Sequence, residues 1–224
     1  MEKDYLNILS KINSDIEEMS FDKAARLIIV TKSQPIISIR KLFELGYNSF
    51  GENYLEEARV KINEMNEDDI EWHFIGNIQS NKIKKIVKIF SWVQTVSSLK
   101  HAKLLNEECK KIDKKINICI QINIDDEESK GGIDIKDVDT FIDNISIYEF
   151  LCIRGIMAIP SKLNALKENE NSYNILKSEY DRLSDKYKSV DTLSLGMSND
   201  FRLALNKGSN MIRIGSLIFG ERKL

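Results

Sequence analysis

The sequence predicts a single closed barrel of eight parallel strands surrounded by helices, a TIM-type (β/α)8 barrel in the α/β class. Apolar runs of strand length alternate with longer segments of helical periodicity, and about eight such units follow one another. The chain of 224 residues has the length of one large domain, and we find no Pro/Gly/Ser-rich linker. An open doubly wound sheet shows the same alternation, but eight units favour the barrel.

Eight short apolar runs are the strand candidates. In chain order they are Leu27–Thr31, Ser49–Phe50, Trp72–Ile75, Trp92–Thr95, Ile116–Ile124, Glu149–Met157, Thr192–Leu195 and Met211–Ile214.

Amphipathic segments lie between these runs. In SNKIKKIVKIF four apolar side chains share one helical face and four lysines occupy the rest, which is typical of a helix with a solvated outer face. An extra amphipathic helix over about Lys3–Met19 precedes the first strand. We therefore expect residues 1–224 to form one domain, with residues 1–20 as a helix that packs outside the barrel.

The composition excludes several classes of function. A net charge of −2 lacks the clustered positive field that nucleic acid or an anionic membrane surface requires. The three cysteines are widely spaced without a CxxC pair, and the N-terminus does not read as a signal peptide. We expect a cytoplasmic protein without a membrane span.

Lys32 directly follows the first strand candidate, in LIIVTKSQP, with Pro35 placed for the first turn of the next helix. In a (β/α)8 barrel this position opens into the mouth where active sites form. A partly desolvated lysine loses some preference for its charged form, and the neutral amine can condense with an aldehyde to form a Schiff base. From this stretch alone, a lysine that turns outward into water is the commoner arrangement.

Two glycine-serine runs follow the last two strand candidates. Gly196 and Ser198 precede a helix predicted to begin at about Asn199, and Gly215 and Ser216 follow the final strand. Small residues and a helix N-terminus favour an anion, and phosphate sites in such barrels lie at these loops. Plain turn chemistry explains the same residues.

Seven motifs together carry a resemblance to a known family. They are VTKSQP, FGEN, WHFIGNIQSNK, ESKGGI, RGIMAIPS, LSLGMSND and IRIGSLIFGER, from about Leu27 to Arg222. In order and approximate spacing they resemble the signatures of the YggS/PROSC family of pyridoxal phosphate (PLP) homeostasis proteins. The resemblance implies a fold-type III PLP-binding barrel, similar to the N-terminal barrel of alanine racemase.

The resemblance also implies roles for individual residues. Lys32 would hold pyridoxal 5'-phosphate as a Schiff base, and Arg213 would face the pyridine nitrogen. The phosphate would lie at Ser198, Gly215 and Ser216, and Asn53 and His73 would lie near the cofactor.

The resemblance implies a PLP carrier or regulator in vitamin B6 homeostasis, without turnover of its own. Arg213 stays protonated and makes the ring a weaker electron sink, and little sequence follows the last motif to supply a racemase's second domain. PLP-dependent apoenzymes would be the recipients, and we expect a monomer. A low-activity enzyme such as an amino-acid racemase, or a barrel for another phosphate ligand, is the alternative.

Other residues set limits on these expectations. Gln34 stands where many relatives have a second lysine, and Asn77 replaces a residue that is often proline or histidine; the first change would alter PLP release.

Two histidines give no basis for a multi-histidine metal site. The four carboxylates of residues 125–128 are typical of a charged loop. Asn53 and Glu56 also have the spacing of a capping box, so Asn53 is expected to begin a helix.

Overall fold

The computed structural model describes residues 5–20, 24–125, 131–161 and 170–220. The acidic segment 126–130, which includes part of the ESKGGI motif, and the final residues 221–224 lie outside this part of the chain. Eight parallel strands pair in sequence order, and the last pairs with the first to close the barrel. The predicted (β/α)8 barrel is therefore confirmed.

The bounds of the elements follow the sequence pattern closely. The strands are β1 (Arg26–Val30), β2 (Ser49–Glu52), β3 (Glu71–Phe74), β4 (Trp92–Val96), β5 (Ile116–Ile122), β6 (Leu151–Ala158), β7 (Thr192–Ser194) and β8 (Met211–Ile214). The α-helices of the described residues are α1 (Tyr5–Met19), α2 (Ile36–Glu44), α3 (Leu55–Met65), α4 (Ile83–Ile89), α5 (Leu99–Lys111), α6 (Val138–Ile145), α7 (Glu170–Lys186), α8 (Phe201–Asn206) and α9 (Ser216–Phe219). Two single turns of 3-10 helix cover Ser80–Lys82 and Ile135–Asp137.

Apolar side chains form two layers, because alternate residues of each strand face the helices or the barrel interior. In β5, Ile118 and Ile120 belong to the large cluster between the strands and the helices. Cys119, between them, packs in a small cluster built from strand residues alone, with Ile28, Trp92, Met157 and Met211. This inner cluster fills the middle of the barrel.

Charged residues close the barrel at the N-terminal ends of its strands. The guanidinium carbons of Arg26 and Arg154 lie 4.8 and 5.1 Å from the centroid of the Trp92 ring. Arg26 also pairs with Glu71 at 2.8 Å, and Arg154 pairs with Asp191. This end of the barrel is thus plugged by paired charges.

Helix α1 lies outside the strands, against α8 and α9. Its buried residues, Tyr5, Leu9, Ile12 and Ile16, recur at intervals of three and four and form one face. The Tyr5 ring meets Phe219 edge-on at 6.0 Å between centroids. No helix of the described residues is long and apolar enough to cross a membrane.

The capping box expected at Asn53 and Glu56 is absent, and that prediction was wrong. Helix α3 begins at Leu55, with Tyr54 in the N-cap position and no side-chain cap. Glu56 instead turns outward and accepts a hydrogen bond from Lys85 at 2.7 Å. The helix expected at about Asn199 begins at Phe201, with Asp200 in the N-cap position.

Candidate functional site

A cavity of about 540 Å³ lies at the carboxyl ends of β1, β7 and β8. It is lined by Lys32, Ser198, Arg213, Gly215 and Ser216 of the sequence-predicted site. Gln34, Pro160, Met197, Asp200 and Phe219 complete much of its wall. The strand order brings these distant segments together, because β8 lies between β1 and β7.

Lys32 is half-buried in the loop that leaves β1, and charged side chains of α3 hold the backbone on both sides of it. Lys61 of α3 donates a hydrogen bond to the Thr31 carbonyl oxygen at 2.6 Å. The Ser33 N–H donates to Glu57 at 2.6 Å, and Ser33 has a positive φ of 61°. Such a left-handed turn is costly for a residue other than glycine, so these contacts help to hold the loop.

Lys61 lies in an ion-pair cluster behind Lys32. Its ammonium contacts Glu52 at 2.7 Å and also Glu57. The Thr31 hydroxyl donates to the same Glu52 carboxylate at 2.6 Å. Burial raises the pKa of the Glu52 carboxyl, and Lys61 and Thr31 oppose that rise.

Ser198 joins the two glycine-serine loops on the opposite wall. Its hydroxyl oxygen accepts hydrogen bonds from the Gly215 N–H at 3.4 Å and the Leu217 N–H at 3.1 Å. Gly196 has a φ of 93°, and a Cβ there would lie 2.7 Å from the Ala204 Cβ. A Cβ on Gly215 would lie 3.1 Å from the Val30 carbonyl oxygen. Only small residues therefore allow the loop after β7 to lie this close to α8, and the loop after β8 this close to β1.

Arg213 presents a buried cation to the floor of the cavity. Its guanidinium donates to the Ser194 carbonyl oxygen at 2.8 Å, to the Ser194 hydroxyl, and to the Ala158 carbonyl oxygen at 3.0 Å. Burial lowers the pKa of Arg213 to about 10, although Asp200 acts in the opposite direction. The guanidinium remains charged at neutral pH.

Asp200 and Tyr173 are site residues that the sequence did not single out. Asp200 is buried in the cavity wall and accepts hydrogen bonds from the Met197 N–H at 2.7 Å and from the Tyr173 hydroxyl. Burial, followed by the Asp200 hydrogen bond and charge, raises the pKa of Tyr173. Asp200 stood within the LSLGMSND motif, but nothing in the sequence placed α7, which carries Tyr173, beside it.

Asn53 and His73 do not line the cavity. The Asn53 Oδ1 atom is buried at the end of β2 and has no hydrogen-bond partner among the described residues. His73 is fully buried in the barrel interior, stacked on Trp92 with ring centroids 5.2 Å apart. His73 therefore lies below the cavity.

The cavity offers one primary amine, one guanidinium and a loop of small residues on one wall. This set suits an anionic ligand that carries a carbonyl group. Among the described residues, no cluster of His, Cys, Asp and Glu could hold a metal ion.

Comparisons with known proteins agree with this picture. Residues 11–223 match the family described as alanine racemase, N-terminal domain. The pyridoxal phosphate homeostasis protein of Haemophilus influenzae is 39% identical over 210 residues, covering 92% of this chain and 89% of the relative. That of Escherichia coli K12 is 37% identical over 199 residues, covering 88% and 85%.

Solved structures show the same fold. PipY of Synechococcus elongatus with PLP bound is 28% identical, has a TM-score of 0.86, and is matched over 96% of this chain and 100% of PipY. Alanine racemase of Clostridium difficile is 15% identical, with a TM-score of 0.73 and coverage of 98% of this chain and 58% of the racemase. The second likeness concerns the barrel alone.

Proposed function

Because the chain belongs to the alanine racemase N-terminal domain family and, within it, to the pyridoxal phosphate homeostasis proteins, we propose that it binds PLP and serves intracellular PLP homeostasis. The observation that carries the proposal is one cavity shared by Lys32, Arg213 and the loops of Ser198 and Gly215. PLP has an aldehyde, a pyridine nitrogen and a phosphate, and each of these groups has a suitable partner there.

Each of the lining residues has a proposed role. Lys32 would hold the aldehyde as a Schiff base, and Arg213 would face the pyridine nitrogen. Ser198, Gly215 and Ser216 border the phosphate, where small residues leave room for an anion. Asn53 and His73 do not line the cavity, so they would influence the ligand through the residues that do.

We propose that the protein is a carrier or regulator rather than an enzyme. Bound PLP supplies an electrophilic ring that stabilises negative charge on a substrate, and a partner that stays protonated, such as Arg213, weakens that effect. Of the described residues lining the cavity, Asp200 is the one carboxylate, and it is engaged by Met197 and Tyr173. This leaves little provision for a second acid-base group.

The proposal includes the cell compartment and partners. A cytoplasmic monomer would hold PLP and pass it to PLP-dependent apoenzymes, without nucleic acid or membrane as partner. The alternative, a low-activity racemase of fold type III, is supported by the shared barrel fold.

The first test is absorbance of the purified protein titrated with PLP, followed by borohydride reduction and peptide mass mapping. We expect a saturable band and one reduced adduct on the peptide containing Lys32. Lys32→Ala should lose both, whereas Lys84→Ala, at an exposed position of α4, should keep both. Label spread over surface lysines would favour a barrel for another phosphate ligand.

Turnover distinguishes the carrier from the racemase. Sustained interconversion of amino-acid enantiomers that disappears in Lys32→Ala would overturn the carrier proposal. Stoichiometric binding of PLP without turnover supports it.

A further inference from the structure

A line of hydrogen bonds crosses the barrel interior from the plugged end to Arg213. Ser194 accepts from Arg213, and its hydroxyl donates to the Gln94 Oε1 atom at 2.7 Å. The Gln94 amide nitrogen lies 2.9 Å from His73 Nδ1, and His73 Nε2 lies 3.0 Å from Glu71 Oε2. We call Glu71, His73, Gln94, Ser194 and Arg213 the interior network.

We propose that Glu71 is a positioning residue for Arg213, acting through His73, Gln94 and Ser194. This inference rests on the proposed function, because Arg213 matters through the PLP that it would face. Neither the cavity nor the sequence motifs assign any role to Glu71 or Gln94.

The two ends of the interior network fix the direction of every bond within it. A charged guanidinium can only donate, and an ionised carboxylate can only accept. Ser194 therefore donates onward to the Gln94 oxygen, the Gln94 amide donates to His73 Nδ1, and His73 Nε2–H donates to Glu71. Every group donates toward the carboxylate, so His73 is the neutral tautomer with its proton on Nε2.

The reverse orientation of Gln94 leaves groups without partners. The Gln94 amide nitrogen would then donate to the Ser194 hydroxyl, which already accepts from Arg213. The Ser194 hydroxyl proton would have no acceptor within the interior network. His73 would carry its proton on Nδ1, and its bare Nε2 would face the Glu71 carboxylate. Such a mismatch between buried polar groups is costly, so the carboxylate selects the orientation.

The interior network is buried and tightly packed, so a change at Glu71 can alter the position of Arg213. His73, Gln94 and Ser194 are fully buried, and His73 is held flat against Trp92. Glu71 is fixed by Trp92 at 2.8 Å and Arg26 at 2.8 Å, at the edge of the barrel that reaches solvent. Burial lowers the pKa of His73, so the imidazole stays neutral between two charged ends.

Nuclear magnetic resonance of ¹⁵N-labelled protein without PLP tests the direction of the bonds. The chain has two histidines, so the imidazole signals are easily assigned. We expect His73 to show a protonated Nε2 and an accepting Nδ1, and Glu71→Gln to shift the population toward the other tautomer. Glu67→Gln, an exposed neighbour, should leave the signals unchanged. A wild-type His73 protonated on Nδ1 would overturn the proposal.

PLP titration tests whether the effect reaches the cavity. Glu71→Gln should weaken PLP binding by about fivefold, the effect of losing one hydrogen bond of ordinary strength. The pH midpoint of the PLP absorbance band should rise, because a displaced guanidinium withdraws less charge from the ring. In a Gln94→Met background, Glu71→Gln should have no further effect.

The outcomes separate the two proposals. If the wild-type protein gives no saturable PLP band, the proposed function fails, while the tautomer and its response to Glu71→Gln still test the interior network. If PLP binds and Glu71→Gln changes neither affinity nor pH midpoint in a variant with wild-type circular dichroism, the positioning role is wrong.

Discussion

Lys61 is a buried cation of α3 that fixes the backbone on one side of Lys32. Its side chain is 7% exposed and its partner Glu52 is 0% exposed. A pair so deeply buried contributes little net stability when intact, but removal of one partner strands the other charge. Lys61 thus couples the stability of the fold to the shape of the Lys32 loop.

Replacement of Lys61 by methionine should therefore be strongly destabilising. We expect Lys61→Met to lower the free energy of unfolding by about 3–5 kcal/mol, measured by urea denaturation. Lys84→Met, at an exposed position, should change it by less than about 0.5 kcal/mol. Adding Glu52→Gln to Lys61→Met should recover part of the loss. A loss in Lys61→Met as small as that in Lys84→Met would show that Glu52 is not stranded.

Sequence patterns predicted some residues of the site and its surroundings but missed others. Lys32 and Gly215 were singled out because each follows an apolar strand, whereas Arg213 was assigned only through the resemblance to a known family. Lys61 is one of several lysines on amphipathic helices, and its burial depends on Glu52 and Thr31, 9 and 30 residues away. The Gln94–Ser194 contact spans 100 residues. Hydrophobic periodicity carries no information about polar pairs at such separations.

Helix α1 offers the clearest contrast between two faces of one element. Leu9 is 1% exposed against α8 and α9, whereas Leu6 is 64% exposed. The two side chains are chemically identical and lie less than one turn apart. Differences in their effect on stability therefore report burial alone.

We expect Leu9→Ala to lower the free energy of unfolding by about 2–5 kcal/mol, because it leaves a cavity in a packed interface. Leu6→Ala should change it by less than about 0.5 kcal/mol. The measurement is denaturation monitored by circular dichroism. Equal effects of the two substitutions would mean that α1 does not contribute its apolar face to the core.

Helix and strand bounds were predictable to within a few residues because the apolar periods are regular. The start of α3 was not, because Asn53 has the residue type of a cap but lies one residue before the N-cap, with its oxygen buried. A capping residue works only if the backbone has the right geometry at that position. Here the close approach of the segments that follow β2 and β3 determines the backbone geometry at Asn53. A Cβ on Gly76 would lie 2.0 Å from the Asn53 carbonyl oxygen, which shows how close that approach is.

At the scale of the whole molecule, the charged plug of the barrel should set its resistance to acid. Burial alone raises the pKa of Glu71, but its contacts with His73, Trp92 and Arg26 outweigh this and lower the pKa to about 2. The pKa of His73 is lowered by burial. In both cases the unfolded chain binds protons more readily than the folded one.

Stability should therefore fall in two stages as the pH falls. Below the ordinary histidine pKa of 6.5, the residue at position 73 binds a proton in the unfolded chain but not in the folded protein. Below the ordinary glutamate pKa of 4.5, the same difference arises at Glu71. Urea denaturation from pH 8 to pH 3.5 measures this. In Glu71→Gln, the free energy of unfolding should fall less steeply below pH 4.5 than in the wild type. A wild-type curve that stays level from pH 7 to pH 4 would contradict the expectation.

Closure of the barrel through β1 and β8 has a consequence for folding during synthesis. One edge of β1 pairs with β2 and the other pairs only with Met211–Ile214, so the second edge stays open until β8 has left the ribosome. Open strand edges invite pairing with other chains. The nascent protein therefore exposes one unpaired edge of β1 for as long as β8 has not been synthesised.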